Sequence, residues 1–388
     1  MVTTCSSARP LLAAHARQSR RCVAQSNSAA PERRRKLVGL GSACVDLLAA
    51  VAQYPAPDSK VRSESFTSAF GGNTANTLVT AARLGRSPVA LWTKLADDAY
   101  GAAICADLER EGVSAESVVR AAEGASPFTY ILVDLAAKTR TCIHTPGPAT
   151  VAVDLTEVAV RTLLKDAACV AFDGRLSEPA LVLAREAMRQ GIPCLVEAER
   201  PRAGLDELLQ LATFVSTSTH FPTDWTGHTE LADALIATLE RLPRAQLLVT
   251  TLGAQGSVAL QRCSPDKQRL DAAQLGSALA HLHDSAAQNT PPNPALHALP
   301  TPRDPFCSPD MCGVRVLYQP ASAAHPDDIV DTTGAGDAFI GALAYALIEQ
   351  MPLERALKLA SWVAATKCRA IGPRAGLPRR EEVPPELL

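Results

Sequence analysis

Two aspartates, Asp331 and Asp337, flank a bare glycine turn in the stretch DTTGAGDAFIGALAYAL, residues 331–347. A helix start carries unpaired N–H groups and the positive end of the helix dipole, so it attracts anions. Gly334 and Gly336 let a ligand approach the backbone closely, and consecutive N–H groups in such a turn suit a phosphate. Asp337, in the first helical turn, then has the right place for a general base beside developing negative charge. An acid there also favours the helix dipole by roughly 0.3–1 kcal/mol. That simpler role accounts for Asp337 but for neither the glycines nor Asp331.

A second stretch, FGGNTANTLVTAARLG at residues 70–85, leads two glycines into an amphipathic helix that ends at Gly85. Asn73 and Asn76 are three apart and share one face of its first turn. Asn73 is a good N-cap residue, but Asn76 has no capping duty and is a poor helix-interior residue. Two amides beside a Gly-Gly turn suit a polyhydroxylated ligand, because each both donates and accepts. Asp46, read as the end of the first strand, is a third candidate for that ligand. No glycine is followed by lysine, which excludes a Walker A loop, and GLGSAC at 39–44 has Cys44 where a dinucleotide fingerprint needs its third glycine.

The elements that must position these residues alternate along the chain. KLVGLGSACVDLLAAV (36–51) reads as an apolar strand entering a glycine turn, PVALWTKLA, CVAFDG and PCLVEAE as strands, and QLLVTTLGAQGSVAL as a strand, a glycine turn and another strand, with helical segments such as GAAICADLEREGV and PALVLAREAMRQG between them. This alternation predicts a mostly parallel sheet with helices on both faces. Strands with polar alternation within 52–70 and 127–147 break the pattern and predict a small accessory sheet. Residues 263–313 are rich in Ala, His, Pro and Ser and show little periodicity, so they read as a flexible surface insertion.

The chain has 388 residues, a net charge of −2 and 47% hydrophobic residues, enough for one large α/β domain. It shows no basic stripe for nucleic acid and no apolar run of membrane-spanning length. Its 11 cysteines lie singly with no C-x-x-C pair, and read as reduced thiols. His281 and His283, with Cys307 and Cys312 nearby, match no standard zinc spacing. Residues 1–35 carry seven arginines against one acid, Glu32, with frequent Ser and Ala. That composition reads as an organellar transit peptide, which predicts a plastid stroma location; a disordered basic tail is the alternative.

With both glycine motifs in hand, the sequence resembles the PfkB (ribokinase-like) carbohydrate kinases. GGNTAN early and DTTGAGDAF late are similar to the two signatures of that family, and the resemblance covers residues 36–388 apart from the insertion. It implies a ribokinase-like three-layer α/β/α sandwich with a small β-sheet lid. It implies an ATP-dependent kinase acting on a hydroxyl of a small sugar, with ketohexokinase-like features in YPAPDSKVRS, FDGR and VEAERPR. A nucleoside kinase and a catalytically silent plastid interaction protein are the rival readings. Carried over by position, Asp337 is the catalytic base and the N–H groups of Ala335, Gly336 and Asp337, after Gly334, form the anion hole. Asp46, Gly72, Asn73 and Asn76 meet the sugar. Thr251, Gly253 and Gly256 form the nucleotide-side turn, and TKCRAIGPRAG at 366–376 borders the adenine. Asp331 and Thr333 fall where a monovalent cation, K⁺, is expected. Mg²⁺ is expected with ATP, yet the family's N-x-x-E motif is replaced by STSTHF, with Ser216 and Thr219 at its two positions. Glu199, or Glu197 beside it, is the substitute metal ligand, and a homodimer through the lid is the expected assembly.

Overall fold

The alternation of side chains along the strands divides the core in two. In β1 (Lys36–Leu40) Leu37 packs into one apolar cluster while Val38 and Leu40 pack into another, and in β10 (Ala167–Phe172) Cys169 and Ala171 oppose Val170 and Phe172 in the same way. A strand buried on both faces must be covered by helices on both. The computed structural model describes residues 35–85, 87–137, 139–263, 275–277, 279, 313–322 and 328–388, with the backbone of 296–300.

The remaining strands are β2 (Cys44–Val51), β3 (Ser65–Gly71), β4 (Val89–Trp92), β5 (Lys94–Ala96), β6 (Val113–Ser114), β7 (Val119–Ala121), β8 (Phe128–Asp134) and β9 (Thr139–Thr145). Beyond β10 come β11 (Cys194–Ala198), β12 (Phe214–Thr217), β13 (Leu247–Thr251), β14 (Ser257–Cys263), β15 (Leu296–Pro300) and β16 (Gly313–Gln319). The large sheet has the order β15-β16-β14-β13-β12-β11-β10-β1-β4-β6. It is parallel from β6 to β13 and antiparallel at the β14, β16 and β15 end.

One face is covered by α1 (Asn73–Leu84), α2 (Ala99–Arg110), α8 (Ala335–Ile348) and α9 (Leu353–Lys367). The other face is covered by α3 (Glu157–Leu164), α4 (Ser177–Arg189), α5 (Leu205–Leu209), α6 (Phe221–Thr226) and α7 (Leu231–Glu240). This is the three-layer α/β/α sandwich expected from the alternation. Cys44, Cys105, Cys142, Cys169, Cys194 and Cys368 are free thiols. Among those residues no helix is long and apolar enough to cross a membrane.

A second sheet, ordered β3-β2-β8-β9, stands apart from the first. Its membership corrects the expectation in one respect. Residues 36–51 are not one strand: the chain leaves the large sheet at Gly41 and re-forms as β2, the partner of both β3 and β8. Asp46 therefore belongs to the accessory sheet and not to the end of the first strand. The segment expected to be an insertion also differs. Leu275 is buried against the core, and Leu296–Pro300 pairs with β16 at the sheet edge. The rest of that segment, with His281, His283, Cys307 and Cys312, lies outside the described residues, as do residues 1–34.

Candidate active site

Helices α1 and α8 cross closely because Gly341 has no side chain. A Cβ there would lie 2.4 Å from the Thr77 main-chain oxygen. This crossing brings the two glycine motifs together although they are far apart in sequence. Asn76 Nδ2 donates to Asp337 Oδ2 at 2.7 Å, and both residues are buried. Burial pushes the Asp337 carboxyl up to about 6; the Asn76 hydrogen bond and Arg175 oppose this, while Asp173 and Glu199 add to it. A carboxyl tuned upward in a buried polar site is the property a general base needs.

The turn before α8 is shaped by Gly334, the N-cap, whose φ of 76° lies in the left-handed region. A Cβ there would also come within 2.9 Å of the Pro373 main chain, so only glycine fits without strain. Among the described residues the N–H groups of Gly336 and Asp337 have no hydrogen-bond partner, whereas the Ala335 N–H donates to Thr332 O at 3.2 Å. Of the three N–H groups expected to form an anion hole, two are thus open donors and the third is engaged within the turn. This turn opens on a cleft of about 630 Å³ lined by Thr251, Gly253, Gly256, Ala335, Gly336, Phe339 and Cys368, among others. The expected nucleotide turn and the expected anion hole therefore face one space. Of the 366–376 stretch, Cys368 lines that cleft, while Lys367, Gly372 and Arg374 turn towards Asp331 and Asn76.

The early motif is arranged differently from a capping motif. Gly72 is the N-cap of α1, and Asn73 is its first residue. The Asn73 N–H donates to Ser42 Oγ at 3.0 Å, and its Nδ2 donates to Glu197 Oε1 at 3.1 Å. The Ser42 N–H donates to Asp173 Oδ2 at 2.7 Å. Gly85 ends the helix in an extended conformation and not as a left-handed stop. Asp46 is buried on β2, where Cys44 Sγ donates to its Oδ1 at 3.4 Å; burial raises its carboxyl above the usual range, against hydrogen bonds from Cys44 and Thr129.

Glu199 does not fit the role of metal ligand. Arg175 and Arg202 donate to its Oε2 at 2.8 and 2.7 Å, and Arg200 to its Oε1 at 2.9 Å. Burial alone would raise it, but these guanidiniums hold it below the usual range. Glu197 is the carboxyl that faces the site, raised well above its ordinary value by burial and by the nearby Asp337 and Asp173. Among the described residues no group of three His, Cys, Asp or Glu side chains forms a metal cage. Ser216, at one of the replaced metal-motif positions, is buried without a hydrogen-bond partner, and the Thr219 hydroxyl donates to Thr251 O at 2.7 Å.

Sequence reasoning missed Arg374. It is buried, donates through Nε to Asn76 Oδ1 at 2.7 Å and through Nη2 to Gly71 O at 3.2 Å, and pairs with Asp107. By occupying the Asn76 oxygen it forces the Asn76 N–H₂ towards Asp337. Nothing local marks an arginine between Pro373 and Ala375 for this duty. Arg140 on β9 was missed as well; it donates to Thr332 Oγ1 at 2.8 Å and so reaches from the accessory sheet to the anion-hole turn.

Comparison with known proteins agrees with this geometry. The chain matches the description "pfkB family carbohydrate kinase" over residues 34–274 and 317–380, and it belongs to that family. Ribokinase from Mus musculus is 26% identical over 359 residues, 90% of this chain and 93% of its own length. Ketohexokinase from the same organism is 24% identical over 344 residues, 86% and 96% of the two lengths. Among solved structures, Arabidopsis thaliana ribokinase complexed with ribose and ATP aligns with a TM-score of 0.65 at 18% identity, over 89% of this chain and 96% of that one. A Burkholderia thailandensis nucleoside kinase in complex with inosine aligns with a TM-score of 0.63 at 20% identity, over 89% and 94% of the chains. The fold is ribokinase-like, and the protein is a phosphotransferase that acts on a sugar hydroxyl.

Proposed function

We propose that the protein transfers the γ-phosphoryl group of ATP to a hydroxyl of ribose or of a ketohexose such as fructose. The observation that carries this reading is the 2.7 Å hydrogen bond from Asn76 to Asp337. It joins an amide suited to a sugar hydroxyl to a carboxyl suited to deprotonating one. The sugar lies between Asn73, Asn76 and Asp46, with Gly72 letting the chain pass close to the Ser42 and Ala43 backbone beside them. Asp337 takes the proton of the attacking hydroxyl, and the open N–H groups of Gly336 and Asp337 receive the transferred phosphoryl. The triphosphate reaches that turn from the cleft bounded by Thr251, Gly253 and Gly256. Mg²⁺ bound to the nucleotide neutralises phosphate charge, as phosphoryl transfer requires. With Glu199 committed to three arginines, this chain's own ligand to that ion is at most Glu197.

The deciding experiment is an ATP-consumption screen over pentoses, ketohexoses and nucleosides with purified protein. Turnover with ribose or fructose well above that with adenosine or inosine supports the reading. Preference for a nucleoside assigns the protein to the neighbouring activity. No turnover on any acceptor leaves the non-catalytic interaction role.

Two further parts of the reading concern assembly and location. The outer face of the accessory sheet carries Phe66, Tyr130 and Ile143, all exposed and neighbours through Ala49 and Leu47 of β2. An apolar sheet face of this kind supports a homodimer formed lid to lid. The arginine-rich, acid-poor residues 1–35 support delivery to the plastid stroma.

A further inference from the structure

Lys367, the last residue of α9, has no solvent-exposed surface. Its ammonium donates to the main-chain oxygen of Asp331 at 2.8 Å and to that of Ala370 at 3.5 Å, and it lies 4.0 Å from Asp331 Oδ2. Carbonyl oxygens with a carboxylate beside them form the coordination that a dehydrated monovalent cation takes. The position at a helix C-terminus also favours a positive charge.

The residues expected to hold K⁺ are therefore already engaged. Asp331 Oδ1 accepts from the Thr333 N–H and hydroxyl at 2.8 and 2.7 Å, and its Oδ2 accepts from the Gly372 N–H at 2.8 Å. Burial alone would raise the Asp331 carboxyl, but these donors and Lys367 hold it below its usual range. Arg140 adds a second positive group at the same turn through Thr332. A free cation would meet two fixed ones, and the expected K⁺ does not fit these residues.

We propose that the Lys367 ammonium is a tethered internal cation that takes the place of a free monovalent ion beneath the anion-hole turn. It links Asp331, three residues before Gly334, to the chain segment after α9. Turnover is then independent of potassium. The activity arm of the test rests on the sugar kinase reading; the stability arm does not.

The test compares wild type and Lys367→Met at constant ionic strength, replacing choline chloride by KCl. The expected wild-type result is a flat rate and a flat melting temperature across the series. Lys367→Met should be slow in choline and regain rate with KCl or ammonium chloride by roughly tenfold, within the usual range of effector coupling. Its melting temperature should rise with the same ions. Wild-type turnover or melting temperature that rises with KCl overturns the proposal, as does a Lys367→Met protein as active in choline as wild type. If Lys367→Met does not fold, the wild-type series alone still decides. If no acceptor is phosphorylated, the kinase reading fails while the wild-type melting series still tests this one.

Discussion

The Asn76 amide donates to the Asp337 carboxylate at 2.7 Å across 261 residues of sequence, and Arg374 holds the other end of that amide. The three side chains form a line from a buried guanidinium to the carboxyl proposed as the base. Asp107 anchors the far end of it. Each member makes a different prediction when removed.

Asp337→Asn keeps the size of the side chain and retains an oxygen for the Asn76 N–H₂. Its fold should survive, and its kcat should fall by about 10²–10⁴, the usual contribution of a positioned base. Sugar and ATP binding should remain measurable by calorimetry. A kcat near wild type would show that Asp337 serves only the helix start.

The pH profile follows from the raised Asp337 carboxyl. The base works only when deprotonated, so kcat/KM should rise with pH through about 6 and level off above it. Asn76 stabilises the charged form, so Asn76→Ala should move this limb to higher pH. It should also raise the KM for sugar more than that for ATP, since an unpaired buried partner costs roughly 1–3 kcal/mol. Stability has the opposite sense to activity. The folded carboxyl binds its proton more tightly than the unfolded one, whose ordinary value is 3.8, so this group's contribution to stability is lost as pH rises from there to about 6. The melting temperature of Asp337→Asn should gain on wild type over that interval.

Arg374 and Asp107 form a buried ion pair, and removing one partner strands the other. Arg374→Met alone should cost about 3–5 kcal/mol in urea unfolding. Combining it with Asp107→Leu should recover much of that loss, because replacing both charges by apolar groups is often nearly neutral. Turnover should not recover with stability, since the Asn76 oxygen has lost its donor. A double variant with restored kcat would remove Arg374 from any positioning role.

The lid-to-lid dimer predicts that Phe66→Glu, on the exposed face of β3, halves the molar mass measured by light scattering. A wild-type protein that elutes as a monomer at all concentrations would exclude the dimer.

Residues 1–35 precede all but the first described residue and should be dispensable for turnover. Fused alone to a fluorescent protein, they should carry it into plastids. Diffuse cytosolic fluorescence would remove the targeting role.

The glycine motifs were legible because their demands are local. A turn that must approach a ligand, a left-handed residue and a helix start are all written in consecutive letters, as in Gly334 to Asp337. The strand–helix alternation was legible for the same reason. The division of 36–51 into two strands was not: both halves are apolar, and the short break at Gly41 to Ala43 does not interrupt that character. The edge strand Leu296–Pro300 is too short to stand out in a stretch rich in turn-forming residues. Arg374 and Lys367 were illegible in principle. Their partners Asn76 and Asp331 lie 298 and 36 residues away, and only the folded chain makes them neighbours.

The way the accessory sheet joins the body has a consequence for redesign. Its four strands arrive in two excursions: β2 and β3 between Ala43 and Gly72, and β8 and β9 between Ser126 and Gly147. The proposed base, anion hole and nucleotide cleft lie outside those two spans, and Arg140 of β9 is the side chain that reaches back to the turn before α8, through Thr332. Both excursions can therefore be exchanged as cassettes for those of a relative with another sugar preference. Such a chimera keeps Asp337, the turn before it and Asn76 from one parent and takes Asp46 and the rest of the accessory sheet from the other.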